Sequence, residues 1–371
     1  LAETAPESLE LLDEVDLVVG NGEKTAIHAV MERIVGDGDD ADLRETFDRM
    51  AGAEPRLIDR FHGHSRAFVK IQEGCDAACA YCIIPRARGP HRSVPTAVVL
   101  DQARLLAENG YREIVLTGIH VGRYGTDLPG GADLAAMLSL LVERIPGVRF
   151  RLSSIEPTEV TGGLIDLVAG SNRIASHLHV PLQSGDDRIL AAMNRPYDTA
   201  RFLRTIEEIK SANESIAIGT DVIVGFPGET EEHFRRAYAF LRDLSVDYFH
   251  VFNFSRRPGT AAATMPGQVD PETRKARSRK LVRLGRRKKL AFMRARVGTV
   301  ETALLQGPAH RFSRFSRSVT GNYVEVSVPR GGTKTGSLAD VLITHYSRGR
   351  LYGGIVDETG ALSDRAKEKR R

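Results

Sequence analysis

The sequence contains little cysteine: Cys75, Cys79 and Cys82 are the only three in 371 residues. An odd number of closely spaced thiols is a poor disulfide framework and indicates the reducing interior of a cell. Long hydrophobic runs are also lacking, since no stretch approaches the roughly 18 apolar residues that cross a bilayer. The acidic start LAETAPESLELLDEVD lacks the basic segment of a secretory signal. We therefore expect a cytoplasmic protein without membrane association.

The rest of the composition is that of an ordinary globular protein, with 42% hydrophobic and 27% charged residues, and the length allows two or three domains. Short apolar or β-branched runs alternate with helical segments. The predicted strands are 66–74, 112–119, 148–155, 177–183, 216–225 and 247–255, and the predicted helices include 95–110, 198–210 and 230–244. This alternation predicts a partial parallel β/α barrel over residues 61–292, with its working face at the carboxyl ends of the strands.

The pattern changes near the C-terminus. Residues 274–296 contain twelve lysines or arginines and no acidic residue. One apolar stripe runs through them, formed by Leu281, Leu284, Leu290 and Phe292. They predict a basic amphipathic helix. Short alternating strands with glycine turns then predict a small C-terminal β-barrel over residues 293–358. We expect a disordered basic tail at 359–371 and a polar linker at 36–60.

The cysteine segment EGCDAACAYCIIPRARG follows a predicted strand, and its three thiols have three explanations. With His62, His64 or His91 they could complete a structural zinc site. They could also be inert or reactive free cysteines. An iron-sulfur cluster explains their number best, because three thiolates on a four-iron cluster leave one iron open for another ligand.

The spacing C-x3-C-x2-C, with the aromatic Tyr81 before the last cysteine, resembles the signature of the radical S-adenosylmethionine enzymes. The resemblance implies that Cys75, Cys79 and Cys82 hold a [4Fe-4S] cluster and that S-adenosylmethionine chelates its open iron. It further implies that an electron from the cluster cleaves S-adenosylmethionine to a 5′-deoxyadenosyl radical. In such enzymes the protein supplies position and shielding.

Polar residues near the ends of later predicted strands extend this resemblance. LTGIH, SSIE, HVPLQSGDD and TDVIVGFPGET stand where family members contact S-adenosylmethionine. With Tyr81, the cofactor-binding residues that the resemblance implies are Gly118, Ser153, Glu156, Gln183 and Asp221. Each also has a structural explanation, since serines cap helices, glycines serve turns and an aspartate can be satisfied inside a barrel. His120 is either a substrate contact or a hydrogen-bonded loop histidine.

Longer segments resemble the methylthiotransferases across nearly the whole sequence, among them KIQEGCDAACAYCIIPRARG, EIVLTGIHVGRYG, SSIEPTEV and HLHVPLQSGDDRILAAMNR. The TGIH sequence is typical of the bacterial branch that adds a methylthio group to C2 of N6-threonylcarbamoyladenosine beside the tRNA anticodon. Related branches act on isopentenyladenosine in tRNA or on an aspartate of a ribosomal protein. The resemblance implies tRNA, S-adenosylmethionine and a reductant protein as partners.

The C-terminal region resembles the TRAM domain, an RNA-binding module, with GNYVEVSVP as the best-matching strand. The basic helix would contact phosphates, and Phe312, Phe315 and Tyr323 would stack on unpaired bases. Each has a structural alternative. The basic helix could be only a solvated face, and Phe312 and Phe315 could be core residues.

One departure concerns the N-terminus. Methylthiotransferases ordinarily have an N-terminal domain in which three more cysteines bind a second [4Fe-4S] cluster, thought to deliver the sulfur; this sequence has no cysteines for it. Residues 1–35, with VDLVVGNGEK, resemble the end of that domain, so we expect a fragment of a longer protein in preference to a true loss of the cluster. A hypothesis of a different class is a noncatalytic RNA-binding protein whose cysteines hold zinc.

Overall fold

The computed structural model describes residues 6–12, 15, 18, 20, 27, 57–308, 313–331 and 334–356. Most of the predicted N-terminal remnant and linker, Phe312 and the predicted tail at 359–371 lie outside the described residues. Within the described part, none of the helices combines the length and the apolar character that crossing a membrane requires.

Eight strands build the first domain. They are β1 (Ala67–Lys70), β2 (Gln72–Glu73), β3 (Arg92–Ser93), β4 (Glu113–Thr117), β5 (Arg149–Leu152), β6 (His177–His179), β7 (Ala217–Val224) and β8 (Tyr248–Asn253). Strands β1, β4 and β5 pair in parallel, as do β6, β7 and β8. Parallel bridges from Phe150 to Ile174 and from Ser154 to His179 join the two sets. The result is the predicted partial parallel barrel, with β1 and β8 at its edges.

The helices follow the predicted alternation. They are α1 (Glu7–Glu10), α2 (Ile84–Arg88), α3 (Thr96–Glu108), α4 (Leu134–Arg144), α5 (Gly162–Gly170), α6 (Asp187–Ala192), α7 (Thr199–Ala212), α8 (Glu231–Asp243), α9 (Ala261–Thr264) and α10 (Pro271–Ala295). Several begin at a side chain that accepts a hydrogen bond from a backbone N–H of the first turn, namely Asp133, Thr161, Asp186, Asp198, Thr230 and Asp270. These caps explain where the predicted helices start.

The predicted C-terminal β-barrel is also present. Its strands are β9 (Val300–Pro308), β10 (Phe315–Thr320), β11 (Glu325–Pro329), β12 (Leu338–Ser347) and β13 (Arg350–Ile355), closed in the order β10-β11-β13-β12-β9. Val326, Ile343 and Leu351 are wholly buried in its own core. Helix α10 connects the two domains and ends at Ala295, so the predicted boundary at residue 292 falls inside its last turn.

Helix α10 is less solvated than its eleven basic residues suggest. Leu281 and Leu284 are buried, and Gly285 lies where a Cβ would be 3.2 Å from the Phe249 ring of β8. Arg277 is also buried, and its Nη1 donates to Glu229 Oε1 at 2.7 Å. Part of the basic helix is therefore a packing surface, and cations such as Lys275, Arg279 and Arg283 form its exposed side.

Buried arginines join the two barrels. Arg149 and Arg151 of β5 both pair with the buried carboxylate of Glu113. Their guanidinium groups also donate to carbonyl oxygens of the C-terminal barrel, at Thr302, Val319, Thr320 and Gly321, over 2.7–3.1 Å. The C-terminal barrel is thus fixed to the end of the partial barrel where its strands begin.

Candidate active site

The cysteine loop lies between β2 and α2, where the chain leaves the partial barrel, and several contacts fix its path. Gly74 has a φ of +72°, and a Cβ there would lie 1.8 Å from the carbonyl oxygen of Pro90, so only glycine fits. Cys75 N donates to Gly89 O at 3.1 Å, and Ala80 N donates to Met193 O at 3.0 Å. The sequence therefore specifies a rigid loop that presents its thiols.

All three thiols line one cavity of about 560 Å³. The other lining residues come from the thiol loop, from the segments after β4, β5 and β6, and from the turn after α6; those that matter below are Tyr81, His120, Glu156, Glu159, Gln183 and Arg195. Burial raises the pKa of the Cys79 and Cys82 thiols. At Cys75 burial acts in the same direction, but the hydrogen bond with His120 contributes to a net lowering of the pKa.

The spacing of the thiols fits a cluster better than a single ion. Zinc held at about 2.3 Å from each sulfur would bring the sulfurs to about 3.8 Å from one another. Among the described residues, the group whose ligand atoms all lie within 4.8 Å of one another is His179, Asp221 and His250, and the three thiols are not such a group. A four-iron cluster separates its ligands more widely than one ion does. The donor set therefore fits a [4Fe-4S] cluster.

The histidines proposed to complete a zinc site lie elsewhere. His62 and His64 are exposed, and His91 is buried against Gln72, with its Nδ1 2.9 Å from Gln72 Nε2. None of the three lines the thiol cavity. None of these three histidines therefore supplies a fourth zinc ligand at the thiols.

His120 is the imidazole that approaches the thiols. Its Nδ1 lies 3.4 Å from Cys75 Sγ, and its Nε2 lies 2.7 Å from Glu159 Oε1. Burial lowers the pKa of His120, but the bonds to Cys75 and Glu159 outweigh it and raise the pKa to about 10. His120 is therefore close to Cys75 and Glu159 and also lines the thiol cavity.

Arg195 lies between the thiol loop and the opposite wall of the cavity. Its Nη1 donates to Cys79 Sγ at 2.9 Å, its Nη2 donates to Glu156 Oε2, and its Nε donates to Tyr197 Oη at 3.1 Å. The side chain is only 4% exposed. The sequence analysis assigned no role to Arg195, although it is the last residue of the segment HLHVPLQSGDDRILAAMNR that resembles the methylthiotransferases.

The predicted cofactor-binding residues divide into two groups. Tyr81, Glu156 and Gln183 line the thiol cavity, whereas Gly118, Ser153 and Asp221 are not among its lining residues. At Gly118 a Cβ would lie 2.9 Å from Gln72 O, so close packing explains this glycine. The buried Ser153 Oγ lacks a hydrogen-bond partner among the described residues, which is unusual for a buried hydroxyl. Asp221 instead accepts hydrogen bonds from His179 and His250.

A second cavity of about 480 Å³ lies between the two barrels. It is lined by basic and aromatic side chains, including Arg66, Lys289, Arg350, Tyr248, Phe292 and Tyr323. Tyr323 is 43% exposed, with its ring 4.9 Å from the His177 ring and under the Arg151 guanidinium. Phe315 is 38% exposed and packs edge-on against Tyr352. The cavity therefore combines cations with ring faces.

Known proteins resemble both the partial barrel and most of the chain. Residues 69–241 match the family described as the Radical SAM superfamily. The chain is 35% identical over 308 residues to the threonylcarbamoyladenosine tRNA methylthiotransferase MtaB of Rickettsia prowazekii, covering 82% of this chain and 71% of that protein. It is 33% identical to the ribosomal protein uS12 methylthiotransferase RimO of Desulfotalea psychrophila, covering 94% and 80%. It is 35% identical to the tRNA-2-methylthio-N(6)-dimethylallyladenosine synthase of Bordetella avium, covering 80% and 64%.

These relatives differ in the substrates that their names give, and two of them are named as methylthiotransferases. The similarity extends well beyond residues 69–241, since two of the alignments cover more than two thirds of both proteins. Together with the three thiols in one cavity of a partial parallel barrel, it shows that the chain belongs to the radical SAM methylthiotransferases.

Proposed function

We propose that this chain is the catalytic part of an enzyme that adds a methylthio group to C2 of N6-threonylcarbamoyladenosine beside the tRNA anticodon. The observation that carries the proposal is the convergence of Cys75, Cys79 and Cys82 on one cavity. As a radical SAM enzyme, the protein uses a [4Fe-4S] cluster and S-adenosylmethionine. When bound, these two supply the reductive cleavage that starts radical chemistry on the substrate.

The residues of the chain hold and shield the reacting groups. Cys75, Cys79 and Cys82 are the cluster ligands, and Arg195 lies against the Cys79 sulfur, where it can offset negative charge. The same guanidinium holds Glu156 at the cavity wall, so its carboxylate is positioned to accept hydrogen bonds from a bound cofactor. Ser153, just after β5, has a hydroxyl without a hydrogen-bond partner in the described part of the chain and offers a further donor.

The second cavity supports an RNA substrate. Arg66, Lys289 and Arg350 bring positive charge to it, and Tyr323 and Phe292 bring ring faces. Cations that contact phosphates, together with aromatic rings that stack on unpaired bases, are what single-stranded RNA binding requires. A protein substrate would not need this combination. This composition therefore favours a tRNA substrate over a ribosomal protein.

Two features support the threonylcarbamoyl form of the substrate. The segment TGIH at residues 117–120 is the sequence typical of that branch. The relative from Rickettsia prowazekii carries that substrate in its name and is 35% identical. The sulfur would come from the family's second cluster, whose cysteine ligands are not in this sequence, so the proposal assigns to these residues the binding and cleavage of S-adenosylmethionine.

The first test is anaerobic reconstitution of the chain, with iron and sulfide analysis and a measurement of 5′-deoxyadenosine after adding S-adenosylmethionine and a reductant. We expect about four irons per chain, the content of one such cluster, and formation of 5′-deoxyadenosine. The Cys79→Ser variant should lose both. Zinc in place of iron, or a metal-free chain without cleavage, would refute the enzymatic proposal and leave the RNA-binding alternative.

The second test identifies the substrate. Deleting the gene in its source organism should remove the 2-methylthio group from threonylcarbamoyladenosine, as measured by mass spectrometry of tRNA nucleosides. The dimethylallyl nucleoside and the ribosomal protein uS12 should keep their modifications. If uS12 or the dimethylallyl nucleoside changes instead, the chain serves that other branch.

A further inference from the structure

The inward-facing side chains of β6, β7 and β8 form two layers inside the partial barrel. Successive residues of a strand alternate between its faces, so residues two apart share a face. His177 and His179 of β6, Gly219 and Asp221 of β7, and Tyr248 and His250 of β8 are such pairs. The strand register places His179 opposite Gly219, Gly219 opposite Tyr248 and Asp221 opposite His250. Side-chain contacts define the layers: the lower layer is His177, Gly219 and Tyr248, and the upper layer is His179, Asp221 and His250.

The lower layer is closed by packing. His177 Nε2 lies 2.8 Å from Tyr248 Oη, and a Cβ at Gly219 would lie 2.3 Å from the Tyr248 ring. Tyr323 of the C-terminal barrel covers His177 from below. Burial, and then the nearby Arg151, hold the pKa of His177 well below its usual range. This layer is therefore structural.

The upper layer has the geometry of a metal ligand shell. Asp221 Oδ1 lies 3.1 Å from His179 Nε2 and 3.0 Å from His250 Nδ1. The three ligand atoms all lie within 4.8 Å of one another. Two ligands that each lie about 2.1 Å from one ion, at right angles, are about 3.0 Å apart. The two separations from Asp221 match neighbouring ligands at right angles around a first-row transition-metal ion, and the separation between the two imidazoles is within 4.8 Å.

The upper layer is also accessible. His179 and Asp221 are 12% and 22% exposed, while His250 is 57% exposed and lines the cavity between the barrels. Two imidazoles and a carboxylate thus meet where an ion could enter and keep open positions.

We propose that His179, Asp221 and His250 bind a divalent first-row transition-metal ion, of the zinc or ferrous class. Two histidines and one carboxylate are a ligand set that such ions use when other coordination positions stay open to a ligand. This site is separate from the three thiols. The backbone links the two, because Gln183 lines the thiol cavity and its N–H donates to Asp221 O at 2.8 Å. The proposal does not depend on which substrate the enzyme modifies.

The test uses the full chain carrying its iron-sulfur cluster. The protein is dialysed anaerobically to equilibrium against Co²⁺ over a range of concentrations, and bound cobalt and iron are measured in the same samples. Constant iron shows that cobalt has not replaced the cluster. The variants are His250→Gln, at an exposed position that tolerates substitution, and Asp221→Asn, which keeps the side-chain size. His345→Gln, at an exposed histidine of the C-terminal barrel, is the matched control.

We expect the wild type and His345→Gln to bind one Co²⁺ per chain. Loss of an outer partner of a metal ligand already costs roughly 10–100-fold in affinity, so losing a ligand in His250→Gln or Asp221→Asn should weaken binding at least that much. If the wild type binds no stoichiometric cobalt, or both variants bind as tightly as the wild type, the three side chains are only a hydrogen-bonded network. In that case both imidazole nitrogens carry protons and donate to Asp221 Oδ1.

Discussion

Glu113 should contribute more to stability than any exposed acidic residue, because it is the anion that two buried arginines share. Its side chain has no solvent exposure. Arg149 Nε lies 2.7 Å from Oε2, and Arg151 Nη2 lies 3.2 Å from the same oxygen. Arg66 adds a longer contact of 3.8 Å. Both buried guanidinium groups also hold the C-terminal barrel, so the carboxylate stabilises the fold and the junction together.

The perturbation is Glu113→Gln, which keeps the shape and removes the charge. Two buried guanidinium groups are then left without an anion, and breaking a buried pair in this way costs about 3–5 kcal/mol. The arginines keep their carbonyl acceptors in the C-terminal barrel, so we expect the lower end, about 3 kcal/mol. With a urea m-value of about 3 kcal/mol per M, the unfolding midpoint falls by about 1 M.

The assay is urea unfolding followed by circular dichroism, with hydrogen exchange of residues 315–328 as a probe of the junction. The control is Glu143→Gln, at a 69% exposed glutamate that pairs with its neighbour Arg144 and should matter by less than about 1 kcal/mol. Burial would raise the pKa of Glu113, but Arg151 and Arg149 outweigh it and lower the pKa. The stabilisation is therefore present above the ordinary glutamate pKa of about 4.3 and is lost on further acidification. Equal midpoints for the two variants at neutral pH would refute the reasoning.

Three further predictions test the barrel, the active site and the RNA surface. Gly219→Ala should destabilise the fold by about 1–3 kcal/mol in urea unfolding, because its Cβ would meet the Tyr248 ring. The control Gly163→Ala lies in open space on α5 and should be neutral or stabilising. Equal losses of stability in the two variants would contradict the packing argument. Arg195→Lys should keep the cluster iron yet lower the 5′-deoxyadenosine yield by roughly tenfold or more, since a lysine cannot bridge Cys79 and Glu156. The exposed Arg188→Lys is its control, and an unchanged yield for Arg195→Lys would argue against the positioning role. Arg350→Ala should reduce the slope of log affinity for tRNA against log salt concentration by about 0.7–0.9, the effect of losing one phosphate contact. Arg144→Ala, on α4, is the control and should leave this slope unchanged. Identical slopes for the two variants would exclude the cavity between the barrels as an RNA contact.

Much of the fold could be predicted from the sequence because its strands are short apolar runs bounded by glycines and charges. The run IAIGTDVIVG at 216–225 became β7, Ala217–Val224, nearly residue for residue. The run HLHVPLQ was predicted as a strand over 177–183, but β6 ends at His179. The chain then departs from a strand path, and Gln183 takes a positive φ of 68°. The composition of an apolar run indicates where a strand begins more clearly than where that strand stops pairing with its neighbour.

The candidate site was only partly predictable, for a related reason. The thiols, Tyr81 and Glu156 belong to short motifs, so their spacing in the chain is enough to predict their functional roles. Arg195 has no such spacing with Cys79, more than a hundred residues before it, and only the fold brings the two within 2.9 Å. The carboxylate shared by His179 and His250 likewise depends on the register of three strands. Contacts that cross strands are fixed by pairing, which a single sequence does not display.

Tyr323 packs inside the protein and also keeps part of its ring exposed. An aromatic residue among basic ones was predicted to stack on RNA bases, and part of the ring does remain exposed in the cavity between the barrels. Its other contacts are internal, since it packs on His177 and Arg151 from a turn where its φ is +64°. A non-glycine residue in that conformation costs on the order of 1 kcal/mol or more and persists only when its surroundings fix it. Here the buried arginines that bind Thr320 and Gly321 hold the turn in place. The C-terminal barrel thus closes the lower layer of the partial barrel, and any RNA bound to its exposed side is held at a fixed distance from the thiol cavity.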